Sequence, residues 1–170
     1  MNAPPMDGLL TRFNARVARA CMKLSVAGLL LIVLTVSWQV FGRYVLNQPP
    51  TWAESLALLM ILYVTLLAAA VGVRDAGHIG MESLLVLVPD AVRIQVERLI
   101  HALVALFGAA MVWNGTLLGR SVMDYRISGL GLPEGLRYLP LVISGALIVL
   151  FSIEHILASL QGRDVEPAWH

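Results

Sequence analysis

The sequence predicts an all-α integral membrane protein with four transmembrane helices, on three observations. Of its 170 residues 58% are hydrophobic and only 14% charged, against about 25% charged in an average soluble domain. The few charges cluster, leaving uncharged runs of nineteen residues between Lys23 and Arg43, nineteen between Glu54 and Arg74, twenty-one between Arg98 and Arg120 and sixteen between Arg137 and Glu154. A helix rises about 1.5 Å per residue, so about twenty residues cross the roughly 30 Å hydrocarbon slab, and only helices or closed barrels satisfy every backbone hydrogen bond inside it.

The chain reads as one membrane domain over residues 1–170. Residues 1–23 form a basic tail in which Arg12, Arg16, Arg19 and Lys23 recur at i, i+4, i+7 and i+11 beside Phe13, Val17, Ala20 and Leu24. That pattern predicts an N-terminal amphipathic helix on the lipid surface, its basic side facing anionic phospholipid headgroups at roughly 1 kcal/mol per residue. A solvated extension of the first span is the plainer alternative, and neither implies nucleic acid. The first span covers 24–42 and is expected to stay in the mature protein, because it ends in Ser37-Trp38-Gln39-Val40 rather than a small-x-small cleavage site. The second covers 54–73. Residues 78–89, too few to cross, are expected as a short interfacial helix on the cytoplasmic side, ending at Pro89. The third span covers 92–119 and the fourth 136–158, with Glu154 and His155 reaching the headgroup layer, and 159–170 form the C-terminal tail.

Lys and Arg outside the runs are biased toward the side that holds both tails, eight against four, so the positive-inside rule places both termini in the cytoplasm. Cys21 is the only cysteine, which excludes an internal disulfide. No nucleotide, zinc-protease or nucleophile-elbow motif is present, and no enzymatic activity, metal or cofactor is expected.

The segment between the first two runs is the most informative. Pro49-Pro50 separates the helices, and Thr51-x-x-Glu54 has the spacing of a capping box. Tyr44 and Trp52 suit the aromatic belt at the outer interface. Arg43 and Glu54 flank one short hairpin, placed either to pair or to face a partner subunit. Arg43, Asn47, Trp52 and Glu54 are therefore the candidate hairpin and subunit-interface residues, and Arg74 and His78 are the candidates at the cytoplasmic interface. Gln39, Asn114 and Ser144 lie at similar depth and are expected to hydrogen-bond between helices at about 0.6 kcal/mol each. Gly115-x-x-x-Gly119, and Ala68 with Gly72, permit close helix approach. No charge sits in the middle of a run, so the chain by itself lacks the ionisable site of a transport pathway.

One competing class rests on histidine. His101 and His155 lie at matching depth near the cytoplasmic ends of two runs, the arrangement of a haem-bearing membrane anchor in an electron-transfer complex. Set against it, an interfacial histidine needs no ligand.

With these residues laid out, the chain resembles the small membrane subunit of tripartite ATP-independent periplasmic (TRAP) transporters. The matching features are Gln39-x-x-x-Arg43-Tyr44-Val45-Leu46-Asn47, then Pro50-x-Trp52-x-Glu54, then Arg74-x-x-x-His78-Ile79, and Ser128-Gly129-Leu130-Gly131-Leu132-Pro133 before the fourth run. Where the family usually has a second acidic residue after Glu54, this chain has Ser55. The resemblance implies a non-catalytic scaffold in the bacterial or archaeal inner membrane. It is bound to a large multi-helix subunit that carries substrate and sodium ions, and a soluble periplasmic substrate-binding protein delivers an organic acid to the pair.

Overall fold

The computed structural model describes residues 6–48, 50–75 and 90–160. Four helices account for most of them: α1 Met6–Tyr44, α2 Thr51–Asp75, α3 Asp90–Ser121 and α4 Leu139–Leu160, the last preceded by a 3-10 turn at Glu134–Arg137. All four are long and apolar enough to cross a membrane. The expected interfacial segment 78–89, His78 with it, and residues 161–170 of the C-terminal tail lie outside the described residues.

The basic N-terminal segment is not a separate helix: α1 runs unbroken for 39 residues. The cause is local. No proline or glycine falls between Gly8 and Gly28, and the Arg, Ala, Leu, Met and Lys that fill the junction are strong helix formers. The inward stripe also continues across it, since Asn14, Ala18, Cys21 and Ser25 are all buried. Arg12, Arg16, Arg19 and Lys23 are exposed. The tail is thus the first span prolonged, with a basic outer side.

The helices pack as a row, α1–α2–α4–α3, with α1 also touching α4. Helices α2 and α4 are therefore parallel neighbours, while α1/α2 and α3/α4 are antiparallel hairpins. The buried share of the spanning windows runs from 11% in α1 to 39% in α4, so α4 is the central helix. Its first turn tolerates Pro140, whose missing amide proton has no intrahelical acceptor there. The apolar core is small and sits toward the N-terminal end of α1, where Ala18 and Cys21 meet Ala70 and Val71 of α2 and Ile148 and Phe151 of α4.

Glycine sets the closest approach. Gly108 of α3 faces Gly145 of α4, and a Cβ on either would lie 2.9 or 2.7 Å from the other's carbonyl oxygen. Gly115 packs on Leu141 and Val142, and Gly119 on Tyr138, so the expected Gly115-x-x-x-Gly119 contact is formed. Gly72 meets nothing within 4 Å and Ala68 is exposed, so that pair makes no helix contact.

The expected bonds between helices from the outer polar residues are not formed. Asn114 donates to Ala110 O of its own helix (2.8 Å) and Ser144 to Leu141 O (3.4 Å). Each donates to a carbonyl one turn back in its own helix, which needs no partner helix.

Replacing Gly145 by isoleucine is expected to separate α3 from α4 and to destabilise the fold by about 1–3 kcal/mol or more, whereas Gly72→Ala is expected to be neutral or better. Unfolding by denaturing detergent, followed by circular dichroism, measures both.

Candidate functional site

The polar side chains gather at two places, one at each end of the row. At one end, α1 closes on Tyr44 and the chain turns through Asn47, whose φ of 51° is a left-handed conformation that asparagine adopts more readily than most residues. Gln48 N–H donates to Gly42 O (3.0 Å), which tightens the turn. Arg43, Asn47, Trp52 and Glu54 all come to this end and are all exposed. Among the described residues neither Arg43 nor Glu54 has an ion-pair partner. Thr51 is itself the first helical residue, so Glu54 falls in the first turn, where its charge suits the helix dipole, and the capping-box bonds are not made.

Residues 122–133 fold over the start of α2. Within that loop Ile127 N–H donates to Leu132 O (2.7 Å) and Glu134 N–H to Tyr125 O (2.8 Å), and Ile127 is buried as a plug. Ser55 Oγ donates to Ser128 O at 2.6 Å. Gly129, at φ 80°, lies so close to α2 that a Cβ would stand 2.8 Å from Thr51 O. Farther along α2, Tyr63 OH donates to Leu136 O (3.0 Å). Ser55 thus fastens the 122–133 loop to the hairpin, a role that the sequence left unassigned.

At the other end lies a buried polar network. Arg74 ends α2 with its side chain fully buried, and its guanidinium grips Glu154 of α4 with two nitrogens, Nε to Oε2 and Nη2 to Oε1, each at 3.2 Å. Nη1 donates to Asp75 Oδ1 at 3.0 Å. Asn14 Nδ2 of α1 donates to Glu154 Oε2 at 2.8 Å. His155 Nε2 lies 2.9 Å from Arg74 O; a carbonyl only accepts, so the proton is on Nε2. His101 of α3 stacks on His155 with ring centroids 4.4 Å apart and planes 4° from parallel. All four helices meet in this cluster, and Arg98 adds a clamp from α3 to Ser159 (3.2 Å).

Two expectations are corrected here. Glu154 and His155 do not face the headgroups but turn inward and are nearly fully buried. The haem reading of His101 and His155 also fails on geometry. Axial histidines hold iron from opposite sides of a macrocycle, whereas these rings lie face to face, with Nε2 of His155 engaged by Arg74. Arg74 was singled out by sequence, but its partners were not. The available signal was that two runs end at the same side in opposite charges.

The fold and its site define an integral membrane protein of four spans, in which the buried charged side chains among the described residues gather at one end. A family model for the DctQ component of tripartite ATP-independent periplasmic transporters matches residues 32–162. The chain belongs to that family, the small membrane subunits of TRAP transporters. It is 25% identical over 127 residues to the sialic acid TRAP transporter small permease protein SiaQ of Vibrio cholerae, covering 75% of this chain and 72% of the relative. A second similarity, 36% over 55 residues, is to the sialic acid TRAP transporter permease protein SiaT of Haemophilus influenzae, covering 32% of this chain and 9% of that protein.

Removing one member of the buried pair leaves the other charge uncompensated. Arg74→Met or Glu154→Leu alone is expected to cost about 3–5 kcal/mol, and the double variant less than the sum. A double-mutant cycle in detergent measures the coupling. At the hairpin end Ser55→Ala is expected to cost about 1 kcal/mol, and Gly129→Ala, strained and overpacked, to cost more and to release the loop to protease.

Proposed function

We propose that the chain is the non-catalytic scaffold subunit of a sodium-coupled, binding-protein-dependent importer of organic acids. It sits in the inner membrane with both termini cytoplasmic, bound to a large multi-helix subunit. The observation that carries this reading is the open row of helices. Four spans laid side by side leave broad apolar faces exposed for lipid and for another membrane protein. Among the described residues the buried Arg74, Asp75 and Glu154 bond to one another at one end, an arrangement suited to holding helices in place rather than to carrying an ion across.

The similarity to a stretch amounting to 9% of a much longer permease supports a partnership in which such a segment works beside a larger membrane body. The two relatives are described as sialic acid systems; sialic acid is a carboxylate, in keeping with an organic acid as cargo. The exposed hairpin residues Arg43, Asn47, Trp52 and Glu54 are assigned to the outer contact with the large subunit, and Arg74, through the buried network, to the shape of the inner end.

Reconstitution tests the assignment. Vesicles holding the large subunit, the binding protein and this chain are expected to take up substrate only with an inward sodium gradient, and to lose uptake when this chain is omitted. Full uptake without it overturns the scaffold role, and uptake indifferent to sodium overturns the coupling. Arg43→Ala combined with Glu54→Ala is expected to weaken co-purification with the large subunit, and unchanged co-purification removes the hairpin from the interface.

A further inference from the structure

Along the seam between α1 and α2 lies an apolar groove of about 300 Å³, with the core residue Val71 in its lining. Met22, Val26 and Leu29 of α1 form one wall and Val64, Ala68 and Gly72 of α2 the other. Its polar contribution is Ser25, whose hydroxyl is already bonded to Val64 O at 3.4 Å. Beside Gly72 there is open space. From Met22 to Leu29 the groove follows two turns of helix, about 10 Å, most of the roughly 15 Å depth of one leaflet's hydrocarbon.

The basic side of α1 meets the groove at its Met22 end. Residues 19, 22, 26 and 29 are spaced three, four and three apart, so Arg19 stands on the same stripe as the groove wall, one turn nearer the N-terminus. Lys23 is one turn from Arg19 on the adjoining stripe, and Arg12 and Arg16 continue the line; all four are exposed. This stripe precedes residues 32–162, which match the family model.

We propose that this end of the α1–α2 seam binds one anionic phospholipid, with an acyl chain in the groove and the headgroup phosphate on Arg19 and Lys23. The groove accepts hydrocarbon and offers no free hydrogen-bonding group. The cations beyond it accept an anion and offer no apolar shelter. A molecule that carries a negative headgroup on a hydrocarbon chain satisfies both at once, and the order along α1, charge first and groove second, is the order of a leaflet read from water inward. An apolar helix of a protein partner fills the groove but leaves the cations without counter-charge, so the lipid is the better complement.

Native mass spectrometry of the purified full chain tests the site. Equal amounts of phosphatidylglycerol and phosphatidylcholine with matched acyl chains are offered, and retained lipid is counted. One phosphatidylglycerol is expected to be kept in preference to phosphatidylcholine. Arg19→Gln with Lys23→Gln is expected to weaken its retention about 30-fold, from roughly 1 kcal/mol per cation at tenfold per 1.4 kcal/mol. Arg19→Lys, which keeps the charge, is expected to retain it. Gly72→Leu, which fills the open groove, is expected to reduce retention of both lipids, with helical content by circular dichroism unchanged. Equal binding of the two lipids by the wild type, or undiminished phosphatidylglycerol on either the double variant or Gly72→Leu, overturns the proposal. Displacement of the lipid by excess inorganic phosphate overturns it as well, since a free-anion site needs no groove.

Discussion

A guanidinium out of contact with water at the end of a lipid-embedded helix is tolerable only when its charge is met with good geometry. At Arg74 that condition is fulfilled by Glu154 with both carboxylate oxygens and by Asp75 with one. The surrounding fold is arranged around this pair. Helices α2 and α4 run parallel and both end here, so their partial negative ends converge, and a cation placed between them answers both. Asn14 brings α1 to the same carboxylate, and the stack of His101 on His155 brings α3. The register of four helices is thereby set at one level.

The rest of the row is held by different means. Away from this cluster the helices touch through glycine and small side chains, as at Gly108 and Gly145, where backbones approach closely enough for dispersion to act over a long seam. Lipid tails are as apolar as leucine, so burying leucine against leucine brings little net gain in a bilayer. That explains why so small an apolar core suffices and why large residues such as Leu106, Trp113 and Leu117 are left facing outward. The 122–133 loop follows the aqueous rule instead: a plug residue, Ile127, and a few hydrogen bonds such as Ser55 to Ser128.

The number and class of the spans were legible because charge avoids hydrocarbon, and twelve cations and eleven anions were enough to mark where each run stops. The family was legible from motif order, and the match over residues 32–162 agrees with it. Direction around the helix was not legible. Each residue turns a helix by about 100°, so an end residue such as Glu154 faces water or protein according to the phase of its neighbours, which a linear pattern does not show. The same blindness hid the Arg74 partners and made His101 and His155 look like ligands. At residue 23 the polarity changes but the element does not, because nothing there interrupts helical hydrogen bonding. At the α1–α2 hairpin the sequence placed Arg43, Asn47, Trp52 and Glu54 together, but not the loop that covers α2, because Ser55 and Ser128 are 73 positions apart.

The unbroken length of α1 has a mechanical meaning. Thirty-nine residues make a rod of about 58 Å, longer than the roughly 40–45 Å from one headgroup surface to the other. A rod of that length stands out of the bilayer by several turns or leans far from the membrane normal. Because Asn14 is bonded to Glu154, the protruding end is braced against α4 rather than left to swing, so a force applied to the N-terminal turns is passed directly to the central helix of the row.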